Sequence, residues 1–405
     1  MKPMLLHISR QGSHAFKRHS YLSASIRHVA TESLQSSLHE KLTMRKPNFT
    51  YDYLSPTPSH LLNISLADFL PQSCYPPGFT IGDLELPRIP RANVPSPSSR
   101  LPQGHHLIYF SPQVPSSKLL PDGTDPLQSP GDPFVRRMWA GGTLHFDNHL
   151  RDQPELNNRR VYCREYIPSV IVKGLDGDEK VYVNIERQIG YVGTTPENEA
   201  LSDSGPHDSL VNSEIRYPAA ITEIRNIVFM REKPVAAIKE DLARPSKTLK
   251  RMSKFKPFLC LILILFFVPG LIFAAAPHAA DFSVTLVPSQ SLLFRFSALT
   301  FNAHSIHLDP RYCREVEGYR NLLVHGPLTL VLMLSVLRSQ LKAGEKVKTF
   351  DYKNLVPLYA NESLKVCVRK DGTREDKYEV WIEGREGGYA VKGNAVIEQT
   401  QAKGS

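Results

Sequence analysis

Apolar and polar positions form strand-like patterns through the middle third of the chain. TLHFDN at 143–148 alternates, VYCREYIPSVIVKG at 161–174 and EKVYVNIERQIG at 179–190 flank the turn sequence LDGD, and EIRNIVFMRE spans 223–232. A period of two predicts strands, and LDGD between two of them predicts a hairpin. Residues 193–217 are polar and turn-rich and read as a mobile loop. From position 280 the pattern restarts. DFSVTLVP at 281–288 alternates Phe282, Val284 and Leu286, and SQSLLFRFSALTF at 289–301 reads as a helix. HGPLTLVLMLSVLRSQL at 325–341 is apolar nearly all round, which predicts a helix buried inside a sheet. Pro327 sits where its first turn should begin. Alternation then returns in ESLKVCVRKDG (362–372), DKYEVWIEGREGG (376–388) and YAVKGNAVI (389–397).

No helix–strand repeat of the kind that builds a parallel sheet is present. A long buried helix followed by antiparallel strands is the hot-dog arrangement. The earlier half has similar strand content. The expected architecture is therefore α+β, a double hot-dog of two antiparallel sheets each wrapping a central helix. One unit is expected over 45–250 and a second over 277–397.

Residues 45–135 are rich in Pro and Ser, as in RANVPSPSSRLPQG at 91–104, and predict irregular structure broken by short elements. LPQGHHLIYF at 101–110 reads as a turn followed by a short strand, PDGTD at 121–125 as a turn, and Gly141-Gly142 as a helix end or bulge.

One stretch does not fit a folded domain. Phe258 to Ala276 reads FLCLILILFFVPGLIFAAA without a charge, and Lys250, Arg251, Lys254 and Lys256 precede it. Length and flanks meet the criterion for a transmembrane helix, in which Pro269 and Gly270 would be tolerated. Such a helix would put the two halves on opposite sides of a bilayer. The alternative lies in the gene. Arg251-Met252-Ser253 can be encoded as CGT ATG AGT, which holds a splice-donor-like GTATGAGT, and the alanines near 275 can hold an acceptor-like CAG. The 251–276 region is thus a membrane segment or a translated, retained intron.

The formal net charge is +9. Lys2, Arg10, Lys17, Arg18 and Arg27 precede the first acidic residue, Glu32. Residues 1–31, rich in Arg, Ser and His and spaced by Leu5, Ile8, Phe16 and Leu22, have the composition of a mitochondrial presequence, with a cut expected between Arg27 and Met44. A disordered basic tail is the other reading. The modest remaining excess suits an acidic carrier protein or a phosphorylated cofactor as partner, or simply a basic soluble protein. Nothing interleaves aromatic and basic residues in the manner of a nucleic-acid surface. Cys74, Cys163, Cys260, Cys313 and Cys367 are odd in number and lack CxxC spacing, which argues against a disulfide framework or a zinc site and fits a reducing compartment.

Candidate chemistry concentrates between Ala298 and Pro327. Here stand Asn302, His304, His307, Asp309, His325 and the pair Gly326-Pro327. Histidine can act as acid and base near neutral pH. Gly326, at the mouth of a buried helix, offers a backbone N–H to developing negative charge and permits close approach. Other readings stand beside this one. His304 and His307 have the spacing of a metal pair but lack a third ligand, so no metal is assigned. All three histidines could be capping or core residues. His105-His106 could form a second site but reads better as an exposed loop pair, and Asp309-Pro310 reads as a turn.

LTFNAHSIHLDP at 299–310 resembles the signature of MaoC-like, R-specific hydratases, roughly Gly-Asp-x-Asn-Pro-x-His. YRNLLVHGPLTL at 319–330 is similar to the family's run into its central helix. With RRMWAGG at 136–142, the whole most closely resembles the fungal mitochondrial hydroxyacyl-thioester dehydratases of type 2, and also the mesaconyl-CoA hydratases. The likeness covers about 45–250 and 277–397. It implies a double hot-dog with its active site in the C-terminal half and a non-catalytic N-terminal half that widens an acyl tunnel. It also implies dehydration of 3R-hydroxyacyl-acyl carrier protein in mitochondrial fatty acid synthesis, without a cofactor. His307 matches the family's catalytic histidine. Aligned on it, Asn302 falls where the family has Asp, and His304 where it has Asn. An amide cannot be a carboxylate base, so Asn302 is expected to orient water or the hydroxyl, with His304 assisting and Gly326, His325 and Pro327 binding substrate. The competing expectations are a short dicarboxylic acyl-CoA hydratase and, from another class, a non-catalytic membrane-tethered acyl-thioester-binding module.

Overall fold

A computed structural model describes residues 32–75, 79, 100–150, 153–192, 219–243 and 279–400. The expected presequence, the loop 193–217 and the apolar run 258–276 lie outside the described residues. Among the described residues no helix is long and apolar enough to cross a membrane.

The first five strands are β1 (Asn48–Tyr53), β2 (Arg136–Phe146), β3 (Arg160–Lys173), β4 (Lys180–Tyr191) and β5 (Ile221–Met230). The next five are β6 (Phe282–Leu286), β7 (Glu345–Asn354), β8 (Leu364–Lys370), β9 (Lys377–Glu383) and β10 (Tyr389–Gln399). They form one ten-stranded antiparallel sheet in the order β1-β3-β4-β5-β2-β7-β10-β9-β8-β6. Read inward from either edge, the two halves have the same order. An approximate twofold axis therefore passes between β2 and β7, where Thr143 faces Asp351. The two expected sheets are joined edge to edge.

The second half wraps the helix Gly326–Arg338, in which every residue from Leu328 to Leu337 is buried. Pro327 costs nothing there, because an amide in the first turn has no intrahelical acceptor. The centre of the first half differs from expectation. Among the described residues it holds a 3-10 turn, His105–Ile108, in place of a long helix and of the strand read there. The two halves do share a helix after their first strand. Pro56–Leu66 starts at Ser55 and Gln290–Thr300 at Ser289, each serine oxygen accepting an N–H of the first turn. The Pro- and Ser-rich composition of 45–135 hid both β1 and the Pro56–Leu66 helix.

A helix over 32–43 lies between the expected presequence and the expected first domain. Its Leu38 and Leu42 join Val170, Val181, Val183 and Phe229 in a buried cluster on β3, β4 and β5. A cut inside 32–43 would remove part of that core.

Candidate active site

The site begins where the Gln290–Thr300 helix stops. Phe301 takes the left-handed conformation (φ 51°, ψ 37°), and the Asn302 N–H then donates back to the Ser297 carbonyl at 2.9 Å. Asn302 Oδ1 accepts the His304 N–H at 3.0 Å, an Asx turn that leaves Nδ2 as the free donor of its side chain. His304 opens the single turn Ser305–Leu308, which carries His307. Asp309, read as part of a turn, caps the next turn, Pro310–Tyr312, by accepting the Arg311 and Tyr312 N–H groups. The chain returns beside it. Leu323 N–H donates to Ile306 O at 2.9 Å, and His307 Nδ1 lies 2.8 Å from Leu323 O.

That last bond fixes a tautomer. A carbonyl can only accept, so the proton sits on Nδ1 and Nε2 keeps its lone pair. Burial pulls the His307 pKa down to about 4, against a smaller upward pull from the Leu323 hydrogen bond. His307 is thus a neutral base at neutral pH. His325 stacks on it and is fully buried. His325 Nε2 lies 2.8 Å from Ser297 Oγ, and its Nδ1 has no partner. A bare lone pair is cheaper to bury than an unpaired N–H, so Nε2–H donates to the serine. Burial also lowers the His304 pKa, helped by His307 and Arg137.

Asn302, His304, His307, Gly326 and Pro327 line one cavity of about 720 Å³. His325 does not line it. Its expected substrate-binding place is corrected: it is packed behind His307, with no surface to offer. Among the described residues no group of three metal-ligating side chains converges here or elsewhere.

A family model described as hydroxyacyl-thioester dehydratase type 2 matches residues 104–263 and 273–360. The chain belongs to this family. The break in the match, 264–272, falls inside the apolar run. The chain is 26% identical to the mitochondrial hydroxyacyl-thioester dehydratase type 2 of Schizosaccharomyces pombe, over 82% of this chain and 91% of the relative. It is 29% identical to the mesaconyl-C(4)-CoA hydratase of Chloroflexus aurantiacus, over 71% of this chain and 81% of the relative. A MaoC-like dehydratase from Phytophthora capsici superposes with a TM-score of 0.53 at 11% identity, covering 89% of this chain and 99% of that one, which supports the double hot-dog fold.

In this dehydratase the first half supplies groups that the sequence reading missed. Asp122, in the turn PDGTD, is buried with Oδ2 3.5 Å from His304 Nε2. Its Oδ1 accepts from Thr124 N–H at 2.9 Å, and its carbonyl accepts the Ser305 N–H at 2.8 Å. RRMWAGG forms the start of β2, and a bulge between Trp139 and Gly141 settles the double-glycine reading in favour of a bulge. Trp139 faces the helix tip: a Cβ on Gly326 would lie 2.9 Å from the Trp139 Cβ. Arg136 clasps Glu317 of the second half at 2.8 and 2.6 Å. No spacing rule brings these residues to the motif. They come from the joining of β2 to β7.

His105 and His106, read as exposed, are both buried in the dehydratase. His105 Nδ1 pairs with Ser59 Oγ at 2.7 Å, and His106 Nε2 lies 4.0 Å from Glu223. The apolar residues that follow, Leu107 to Phe110, pull the pair inside.

Proposed function

We propose that this hydro-lyase removes water from (3R)-3-hydroxyacyl thioesters through His307. Its Nε2 takes the α-proton and returns it to the departing hydroxyl. The Cα–H and Cβ–O bonds break, the trans-2 double bond forms, and water leaves. Asn302 Nδ2 and His304 hold the hydroxyl. The Gly326 N–H, at the positive end of the central helix, receives the charge that builds on the thioester oxygen. Pro327 shapes the wall beside it. Catalysis belongs to the C-terminal half, 277–397, and the N-terminal half, 45–250, carries the wall opposite. The observation behind this reading is the His307 Nδ1 bond to Leu323 O, which leaves a basic nitrogen in the cavity that the helix tip also lines.

The natural thioester carrier is proposed to be acyl carrier protein, in mitochondrial fatty acid synthesis. Two fungal relatives are mitochondrial by name, and the acid-free basic residues 1–31 agree with the same compartment for this chain. Purified protein should hydrate crotonyl-CoA. His307→Ala should lower kcat by about 10²–10⁴-fold with an unchanged circular-dichroism spectrum. Full activity in that variant would sink the mechanism.

A second reading is favoured by the Chloroflexus relative: hydration of a short dicarboxylic acyl-CoA by the same residues. An acyl-length series separates the two, since that enzyme should refuse a long chain. The membrane-tethered module has its own test, carbonate extraction of mitochondria. A transcript lacking the 258–276 codons would remove its anchor.

A further inference from the structure

The central helix has a second cavity at its other end. It measures about 320 Å³. Its walls are the twofold counterparts of the catalytic walls. The catalytic cavity uses the start of β2 (Arg137 to Trp139), the end of β7 and the chain just after it (Asn354 to Leu358) and the segment after the Gln290–Thr300 helix. The second cavity uses the start of β7 (Glu345, Lys346), the end of β2 and the residues just after it (Phe146, Asn148), and a segment following the Pro56–Leu66 helix (Ser73 to Tyr75). The thirteen residues of the central helix separate the two by about 20 Å. It is a different site.

Its chemistry has also diverged. No histidine lines it among the described residues. Arg100, Arg338, Lys342 and Lys346 do, against one acidic side chain, Glu345. That carboxylate already accepts the Lys342 N–H at 2.8 Å. No ion pair among the described residues neutralises Arg100, Lys342 or Lys346. Arg338 is held in place by its bonds to Gln103 O (2.8 Å) and Ser335 Oγ (3.2 Å). Two arginines and two lysines lining one concave pocket, against a single carboxylate, suit a compact multivalent anion.

We propose that this cavity is a non-catalytic phosphate site, the degenerate twin of the active site, which takes a phosphate monoester. Coenzyme A and the 4′-phosphopantetheine arm of an acyl carrier protein both bear phosphate. A pocket that mirrors the proposed acyl-thioester site in the fold but is lined by cations and no histidine is suited to the phosphorylated end of such a carrier. Free phosphate has the same chemistry.

The test is calorimetric titration of the purified full chain with inorganic phosphate, with 4′-phosphopantetheine and with pantetheine. Phosphate and phosphopantetheine should bind at one equivalent, and pantetheine should not. The double variant Arg100→Gln/Lys346→Gln should weaken that binding at least tenfold and leave kcat for crotonyl-CoA hydration unchanged. Tighter binding of phosphopantetheine than of phosphate assigns the site to the carrier; equal binding assigns it to the free anion. Either result supports a phosphate site. Equal affinity in the wild type and the double variant, binding of pantetheine as tight as that of phosphopantetheine, or no binding at all would overturn it. The readout is binding, so an error in the proposed catalytic mechanism would leave it intact.

Discussion

The imidazoles of His307 and His325 stack with centroids 3.6 Å apart and planes 21° from parallel. Two charges could not share that separation inside the protein without strong repulsion. Burial pushes both rings toward the neutral form, and among the described residues no carboxylate bonds to either ring: Nδ1 of His307 is held by the Leu323 carbonyl and Nε2 of His325 by the Ser297 hydroxyl. The stack is therefore a neutral platform. It presents one ring edge to the cavity and braces it from behind with the other.

The same burial makes stability depend on pH. The His307 and His106 pKa values are each held near 4, below the ordinary 6.5, so the unfolded chain binds protons that the folded chain refuses. Above pH 6.5 neither state is protonated at these positions and they are silent. As pH falls from 6.5 toward 4, each site costs up to about 3 kcal/mol. Urea midpoints measured from pH 7.5 to pH 4.5 should fall steadily on the acid side of 6.5. A flat profile there would mean that these rings are not held neutral by the fold.

Removing the brace should hurt catalysis without removing the base. His325→Ala empties a packed interior site and should cost roughly 2–4 kcal/mol of stability. Water entering the gap would ease the desolvation of His307, so the acid limb of the kcat/KM profile should move up from near pH 4. His325→Phe retains an aromatic face against His307 and should restore the limb, though it leaves Ser297 Oγ without its partner. If stability falls and the limb stays where it was, His325 is only filler.

Asp122 approaches His304 from the other half of the chain, and its role separates by rate against affinity. Asp122→Asn keeps an acceptor for Thr124 but replaces the oxygen facing His304 Nε2 with a donor in one of its two rotamers, and removes the charge in both. Without the carboxylate 3.5 Å from its Nε2, His304 loses the charge that faces it, and kcat should fall by up to about tenfold. KM for crotonyl-CoA and the melting temperature should change little. A rise in KM with kcat intact would place Asp122 in substrate binding instead.

How far the chain could be read depended on whether a signal was local. The strands β4 and β10 show a period of two, β3, β5, β8 and β9 are rich in β-branched and aromatic residues, and the two helices flanking the motif have a serine cap and a proline start that announce them. β7 was missed because a register shift opposite Val396 and Ile397 skips Lys348 and breaks its alternation between Val347 and Phe350. β1 does alternate, through Phe49, Tyr51 and Tyr53, but sits in a segment whose prolines dominate the composition. That Asn302, His304, His307 and Gly326 line one cavity was legible, because one short motif carries the first three and an apolar helix run begins at the fourth. Asp122 and Trp139 were not, since only the twofold assembly of the sheet brings them there. His325 was placed on the wrong side of the site because a histidine beside a helix start gives no sign of which way its ring turns.

The helix tip can be tested with a single methyl group. A Cβ on Gly326 would lie 2.9 and 3.0 Å from Trp139 Cβ and Cγ, and 3.3 Å from Asn354 Nδ2. None of these neighbours is free to retreat. Trp139 Nε1 donates to Tyr352 OH at 2.7 Å, the Arg225 guanidinium lies 4.8 Å over the indole, and Asn354 Nδ2 donates to Trp139 O at 2.8 Å. The helix must move instead, and with it the N–H proposed to meet the thioester oxygen. Gly326→Ala should therefore lose about 1–3 kcal/mol of stability. A displacement near 1 Å at the reacting centre should cost kcat on the order of 100-fold. His307 would keep its bond to Leu323, so the acid limb of the pH profile should not shift, unlike that of His325→Ala. If Gly326→Ala folds and turns over crotonyl-CoA at the wild-type rate, the charge on the thioester oxygen is met by some other donor.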